Sequence, residues 1–441
     1  MTTTPTPSAS LAAKGLARRQ VLQALGAGVT GIMAGHTAFA RALAPDQPGA
    51  VQEAPHADAV TAAQQVPFHG IHQAGIVTPR PANGIMAAFD VVASSLDDVE
   101  RMLKLLTERA AFLTLGGPVP GRDPKLPPAD PGLLGPVVSP DNQTITLALG
   151  DSLFDRMPEL RPLKPVRLQR MVQFPNDALE SSLCHGDISI QFCANIQDAN
   201  IHALRDIVKN LSEFLVMRWM VEGSVPPELP DATGKTASAR NFLGFRDGSA
   251  NPDSSDAELM DRVVWVSAPD EPEWAHGGSY QAVRIIRNMV ERWDRTPLKE
   301  QEDIFGRRKD SGAPMDGPAD ATEHDVPDYA ADPDAAVTFA DSHIRLANPR
   351  TAESDAHLML RRPFNYSRGV MKNGQLDQGL LFICYQADLE KGFIHVQNLL
   401  NGEPLEEYIK PIGGGYFFAV PGVRDAGEYL GSRLIDAARR A

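Results

Sequence analysis

The order of its apolar segments constrains this chain more than any single residue does. In the first half, GIMAAFDVVA (84–93) alternates like a strand, and SLDDVERMLKLLTERAAFL (95–113) has helical spacing, opened by Ser95 with acids in its first turn. QTITLALG (143–150) and GDISIQFCA (186–194) read as strands, DANIHALRDIVKNLSEFL (198–215) as a helix and LVMRWMVEGSV as a strand. Strand, helix, strand, strand, helix, strand is the order of a ferredoxin-like α+β unit. The second half repeats the theme: GSYQAVRIIRNMVERWD as a strand, LKEQEDIFGRRKD as a helix, GLLFICYQADLEKGFIHVQNLLNG as a strand running into a helix, and GGGYFFAVPG (413–422) as a last strand. Two ferredoxin-like domains are therefore expected, over 67–240 and 241–441. Residues 308–342, rich in Asp, Ala and Pro, read as a long loop of the kind that is functional or disordered. Gly413–Gly415 precede a strand rather than a helix, so they read as a turn and not as a phosphate cradle.

Composition excludes some partners. With 42 basic and 56 acidic residues the net charge is −14, and no Lys/Arg-rich run appears, so a nucleic-acid partner is not expected. Residues 1–40 carry Lys14, Arg18 and Arg19, no acid, and then VLQALGAGVTGIMAGHTAFA, ending in the small-x-small triplet Ala38-Phe39-Ala40. This is a signal-peptide layout, and the paired arginines before a weakly apolar, Gly-rich run resemble a twin-arginine export signal. Export to the periplasm or beyond is the expected localisation. Cleavage is expected after Ala40 or Ala42; removal of residues 1–40 takes three positive charges and moves the net charge from −14 to −17. Residues 41–66, rich in Ala, Pro and Gln, read as a flexible lead-in. Cys184, Cys193 and Cys384 build no disulfide framework and leave room for one bridge; no zinc motif occurs.

Three clusters in the second half carry chemistry: GFRDG (244–248), DSHIRLANPR (341–350) and LMLRRPFNYSRG (358–369). Taken singly, His343 reads as a structural histidine, Asp247 as a turn residue and Arg361 as a salt-bridge partner. Their combination, with the arginine 18 residues after the histidine, closely resembles the dye-decolorizing peroxidase family, and within it the exported branch of peroxidases also described as deferrochelatases. The likeness extends through YQADLEKGF and KPIGGGYFF.

The resemblance implies a heme b cofactor in the C-terminal half, hydrogen peroxide as oxidant, and a dye, phenol or other one-electron donor oxidised through a ferryl intermediate. The alternative it implies is release of iron from heme with the porphyrin intact, beside components of an iron-uptake system. A homodimer is expected on the same ground. His343 is carried over as the proximal iron ligand. Asp247 is carried over as the base and then acid for peroxide, and Arg361 as the stabiliser of charge developing on it. Gly248, Ser249 and Ala250 are expected to border the heme, with Asn348, Pro349 and Arg350 along the porphyrin and Arg350 as partner of a propionate. Phe382 is a candidate cover for the distal face. The acceptor of the histidine's other N–H is left open among Asp388, Glu390 and a carbonyl. Bulky donors would pass electrons through surface aromatics, for which Trp219, Trp265, Trp274, Trp293 and Tyr366 are the inventory. An aspartate base with an ordinary pKa of about 3.9 implies turnover best well below neutrality.

Overall fold

The computed structural model describes residues 65–226 and 237–441, so the leader and nearly all of the lead-in lie outside the described residues. Among those described, eight long strands make one continuous sheet: β1 (Asn83–Val91), β2 (Thr144–Gly150), β3 (Ile188–Ala194), β4 (Leu215–Ser224), β5 (Ser279–Asn288), β6 (Phe364–Val370), β7 (Leu376–Gln386) and β8 (Ile409–Ala419). Their order is β5-β8-β2-β3-β1-β4-β6-β7, and β7 pairs again with β5, so the sheet closes into a ring. Each half has the 4-1-3-2 strand order of a ferredoxin-like unit. The halves join along two seams, Phe417–Ala419 of β8 against Ala148–Gly150 of β2, and Ser224 of β4 against Asn365 of β6.

Alternation along the strands assigns the two faces of the ring. Met86, Ala88 and Cys193 share an inner core with Ile285, Leu381 and Tyr385. Ile85, Ala87, Phe89, Ile190 and Phe192 face outward into a second core with helices α1 (Leu96–Leu115) and α2 (Gln197–Asn210). Ser95 caps α1 by accepting from the Asp98 amide, and Gly116 with φ of 73° ends it. α2 stops at Asn210, sooner than its sequence pattern suggests, because residues 211–214 turn the chain into β4.

The C-terminal half covers its outer face differently. In place of two long helices it has short ones, α3 (Leu298–Phe305), α4 (His343–Ala347) and α5 (His395–Leu399), with the long loop 308–342 between the first two. Glycine 306, at φ of 83°, stops α3 before the GRRKD that follows. The long loop is held by Asp332, whose carboxylate accepts from the amides of Ala336 and Thr338 and pairs with Arg345. A cavity is left between these short elements and the strands beneath.

One expectation is corrected. Gly413–Gly415 are not a turn: they lie inside β8, where Gly414 at φ of 123° follows a register shift against β5, and a Cβ on it would meet the Val283 carbonyl at 1.9 Å. All three cysteines are free and buried, so no disulfide framework exists, as the sequence implies, and the one bridge it left room for is not made.

Candidate heme site

The cavity encloses about 1850 Å³, its open mouth included. Ile286 of β5 and Leu380 and Phe382 of β7 form its floor; their sequence neighbours Ile285 and Leu381 belong to the inner core of the ring. Phe305, His343, Ala347, Val396 and Leu400 come from the short helices above. Asn176 and Asp177 of the N-terminal half reach the same wall, so the site draws on both halves.

Asp247 arrives through a tight hairpin. The Asn241 carboxamide accepts from the amides of Leu243 and Phe245, the Phe245 carbonyl accepts from the Asn241 amide, and the Asp247 amide donates to Ala239. Gly244 at φ of 89° makes this reversal possible, and a Cβ there would also meet the Lys309 stem at 2.6 Å. Phe245 anchors the hairpin by stacking on Phe305 at 4.0 Å. The aspartate thus lines the cavity while its Oδ2 is sealed off without a hydrogen-bond partner. Burial pushes its pKa above the ordinary carboxylate value, against the opposing charges of Arg361, Arg80 and His343.

Arg361 is positioned from its backbone. Asn251 clamps it at both ends, accepting from its amide at 2.9 Å and donating to its carbonyl at 3.0 Å, and the guanidinium donates to the Ser249 carbonyl at 2.9 Å. Arg361 lies on the cavity wall. Arg362 points elsewhere, is 5% exposed and donates to the Thr78 carbonyl. The extended chain before Pro363 separates the two side chains as the sequence implies.

His343 is the first residue of α4. Its Nδ1 is 2.7 Å from Glu403 Oε2. A carboxylate can only accept, so Nδ1 carries the proton and Nε2 keeps its lone pair. Burial lowers the imidazole's pKa, but the charge and hydrogen bond of Glu403 outweigh it and hold the pKa above the usual value. Glu403 is none of the acceptors weighed from the sequence. It lies 60 residues away in a turn, NGEPLEE, whose composition announces no such role.

The other expected residues divide. Ser249, Ala250, Asn348, Arg350 and Phe382 line the cavity. Gly248 and Pro349 shape the adjoining chain instead; a Cβ on Gly248 would lie 2.4 Å from Ser238. Ala250 and Arg350 sit at φ of 59° and 58°, a left-handed conformation uncommon outside glycine, and both border the cavity. Missed by sequence reading were Asn251, Arg307 and Glu323. Glu323, brought back by the long loop, bonds Ser238 and Ser249 beside the hairpin.

These residues fit a heme. The walls are apolar, one imidazole offers a free nitrogen, and two guanidiniums, Arg307 and Arg350, reach the wall, the second with a buried Nε that no protein atom satisfies. Planar cations of this kind suit propionate carboxylates.

Comparison with known proteins decides the family. Profiles of the Dyp-type peroxidase N-terminal and C-terminal domains match residues 73–224 and 238–424. The chain belongs to the Dyp-type peroxidase family. It is 59% identical over 374 residues to a deferrochelatase of Escherichia coli O6:K15:H31 (strain 536 / UPEC), an alignment covering 84% of this chain and 88% of the relative, and 58% identical to that of strain K12 over the same shares. Among solved structures it is similar to ferric DtpA from Streptomyces lividans, with a TM-score of 0.75, 34% identity, and 86% and 99% of the two chains covered. A DyP-type peroxidase from Cellulomonas bogoriensis gives a TM-score of 0.75 at 33% identity, covering 84% and 98%. This Dyp-type peroxidase is a heme enzyme, with the two-domain α+β fold read from its sequence.

Proposed function

We propose that the cavity binds heme b through Nε2 of His343, with Arg350 and Arg307 on the propionates, and reduces hydrogen peroxide at the expense of one-electron donors. Heme, when bound, supplies the iron at which the peroxide O–O bond is cleaved. Asp247 takes the proton from one peroxide oxygen and delivers it to the other, which leaves as water. Arg361, permanently charged and held by Asn251, stabilises negative charge that builds up on the departing oxygen. Glu403 keeps the proton on Nδ1 and so keeps Nε2 available.

The observation that carries this reading is the sealed, partnerless Oδ2 of Asp247 in the same cavity as Arg361 and His343. A buried acceptor without a partner costs stability and is retained where a ligand or a proton completes it. The test is reconstitution with hemin. His343→Ala should fold but lose the Soret band of the wild type, and an unchanged band would reject His343 as the ligand.

A second reading rests on the 58–59% identity to proteins named deferrochelatase. In it the same cavity holds heme as a substrate, and iron leaves with the porphyrin intact. Loading the protein with heme under a reductant and assaying free iron and metal-free porphyrin distinguishes the two.

Export follows in this proposal from the Arg18-Arg19 leader. Dimer assembly and contact with iron-uptake components rest on the resemblance, and light scattering on the chain cleaved after Ala40 tests the dimer.

A further inference from the structure

The long loop 308–342 returns one carboxylate to the edge of the site. Glu323, only 3% exposed, is set between the two ends of the hairpin that carries Asp247. Its Oε1 accepts from the Ser238 amide at 2.8 Å, and its Oε2 accepts from the hydroxyls of Ser238 and Ser249, the second at 3.2 Å. Ser238 precedes Ala239, whose carbonyl accepts from the Asp247 amide at 2.9 Å, and Ser249 follows Asp247 by two residues. The carbonyl of the same Ser249 accepts from the Arg361 guanidinium at 2.9 Å. Ser249 therefore joins Glu323, through its side chain, to Arg361, through its backbone.

We propose that Glu323 is a positioning residue for the peroxide step, setting Asp247 and Arg361 relative to one another through Ser238 and Ser249. The proposal rests on the peroxidase reading above, and adds to it the group that keeps the acid–base residue and the cation in register. It also gives the long loop a task in the reaction.

The residue type suits the task. Three donors converge on two oxygens, and a carboxylate, which only accepts, takes all three. Ion pairing does not account for its burial: Arg246 Nε stands 3.9 Å from Oε1 without a hydrogen-bond partner, while the same guanidinium donates to the Ser238 carbonyl at 2.6 Å. A buried carboxylate so loosely paired costs stability, and the order it imposes on the hairpin is what it returns. Gly312, at φ of 78°, permits the approach, since a Cβ there would meet Arg246 Cγ at 2.8 Å and Glu323 Cβ at 2.9 Å. Arg307 of the cavity wall donates to the carbonyls of Gly312 and Glu323 at 2.8 and 3.2 Å, so the same stretch of loop also fixes a guanidinium meant for heme.

The arrangement has a signature in pH. The charge of Arg361, with those of Arg80 and His343, opposes the rise that burial imposes on the pKa of Asp247. If Ser249 is released and Arg361 drifts, that opposition weakens, the pKa rises further, and the base form of Asp247 appears only at higher pH. Direct loss of a negative charge near Asp247 would move the pKa the other way, so the direction of the shift separates positioning from simple electrostatics.

The test uses the heme-loaded full chain in stopped flow with hydrogen peroxide, and the heme-free chain in amide hydrogen exchange. Glu323→Ala should keep the Soret band yet slow the peroxide step about 10–100-fold and move its rising limb to higher pH. Glu323→Gln keeps an acceptor for the Ser238 amide and N–H groups that the serine hydroxyls can accept, so it should recover most of the rate and the wild-type limb. Ser249→Ala should slow the step roughly three- to tenfold, and should add almost nothing in the Glu323→Ala background, where the link is already cut. Without heme, the peptide spanning 238–249 should exchange faster in Glu323→Ala than in the wild type. A Glu323→Ala rate within a few fold of wild type, a limb moved to lower pH, or losses that add in the double variant overturn the positioning role. Unchanged hydrogen exchange overturns the hold on the hairpin. Should Glu323→Ala fail to fold, a wild-type rate in Ser249→Ala overturns the link to Arg361. A wild type that takes up heme yet does not react with peroxide overturns the peroxidase reading, and this role with it.

Discussion

Glu403 Oε2 accepts a hydrogen bond from Nδ1 of His343 across 2.7 Å, from a carboxylate whose side chain is only 3% exposed. The carboxylate makes the imidazole a stronger donor through Nε2 and fixes its ring. Glu403→Gln should still bind heme, with the iron reduction potential shifted upward because the negative charge is gone; spectroelectrochemistry reads the shift. Glu403→Ala should weaken heme retention by about 10–100-fold, measured as heme transfer to an apo-globin acceptor.

The pH dependence differs from the sequence expectation. Burial raises the pKa of Asp247 from its ordinary 3.8, so its carboxylate, the form able to take a proton, appears only at correspondingly higher pH. The rate of reaction with peroxide should climb as pH rises through this raised value and decline as pH falls through it. The acid optimum should therefore be less acidic than an ordinary aspartate implies. Stopped-flow traces over a pH series should show this limb in the wild type and its loss in Asp247→Asn, with the rate low throughout.

Arg361 and Arg362 are adjacent yet separable. Arg361→Leu should slow the peroxide step by about 10²–10³, the scale of losing one charge-stabilising donor. Arg362→Leu should leave that step within a few fold. It should instead lower the thermal midpoint, since the Thr78 carbonyl loses its donor, at a cost of about 1–3 kcal/mol. The reverse ranking would show that the cavity-facing arginine has been misassigned.

Asn251 acts on the site through Arg361. Asn251→Ala should retain the Soret band but slow the peroxide step and change its pH profile, because the arginine that opposes the raised pKa of Asp247 is no longer held. Asn251→Asp, which keeps the acceptor for the Arg361 amide, should recover part of the rate. An equal loss in both variants would point to a general packing defect.

How far the sequence could be read follows from the range of each interaction. The strands and α1 were legible because alternation and capping are local. Asp247, Arg361 and His343 were legible through the motifs that surround them. Glu403 and Asn251 were not, because their functions depend on partners 60 and 110 residues away and on geometry that leaves no local pattern. The aromatics inventoried as surface residues read differently in the fold: Trp219, Trp265, Trp274, Trp293 and Tyr366 are all buried, because each ring is drawn into a core by partners that its local sequence does not announce. The glycines at 413–415 looked like a turn because nothing nearby discloses that Val283 of β5 presses against their backbone.

The closed ring also dictates an order of events in biosynthesis. β8 is the last long strand to be synthesised, and it bridges β5 of its own half and β2 of the other. Until Ala419 has emerged, the sheet has two raw edges, β5 and β2, and Glu403 and Leu405 have only just been added. Closure of the ring, and with it of the cavity wall on this side, is therefore an event of the nearly complete chain. A ribosome stalled between Arg361 and that strand holds a chain that carries His343, Asp247 and Arg361 and still lacks the part of the cavity wall that Ile409 and Pro411 supply.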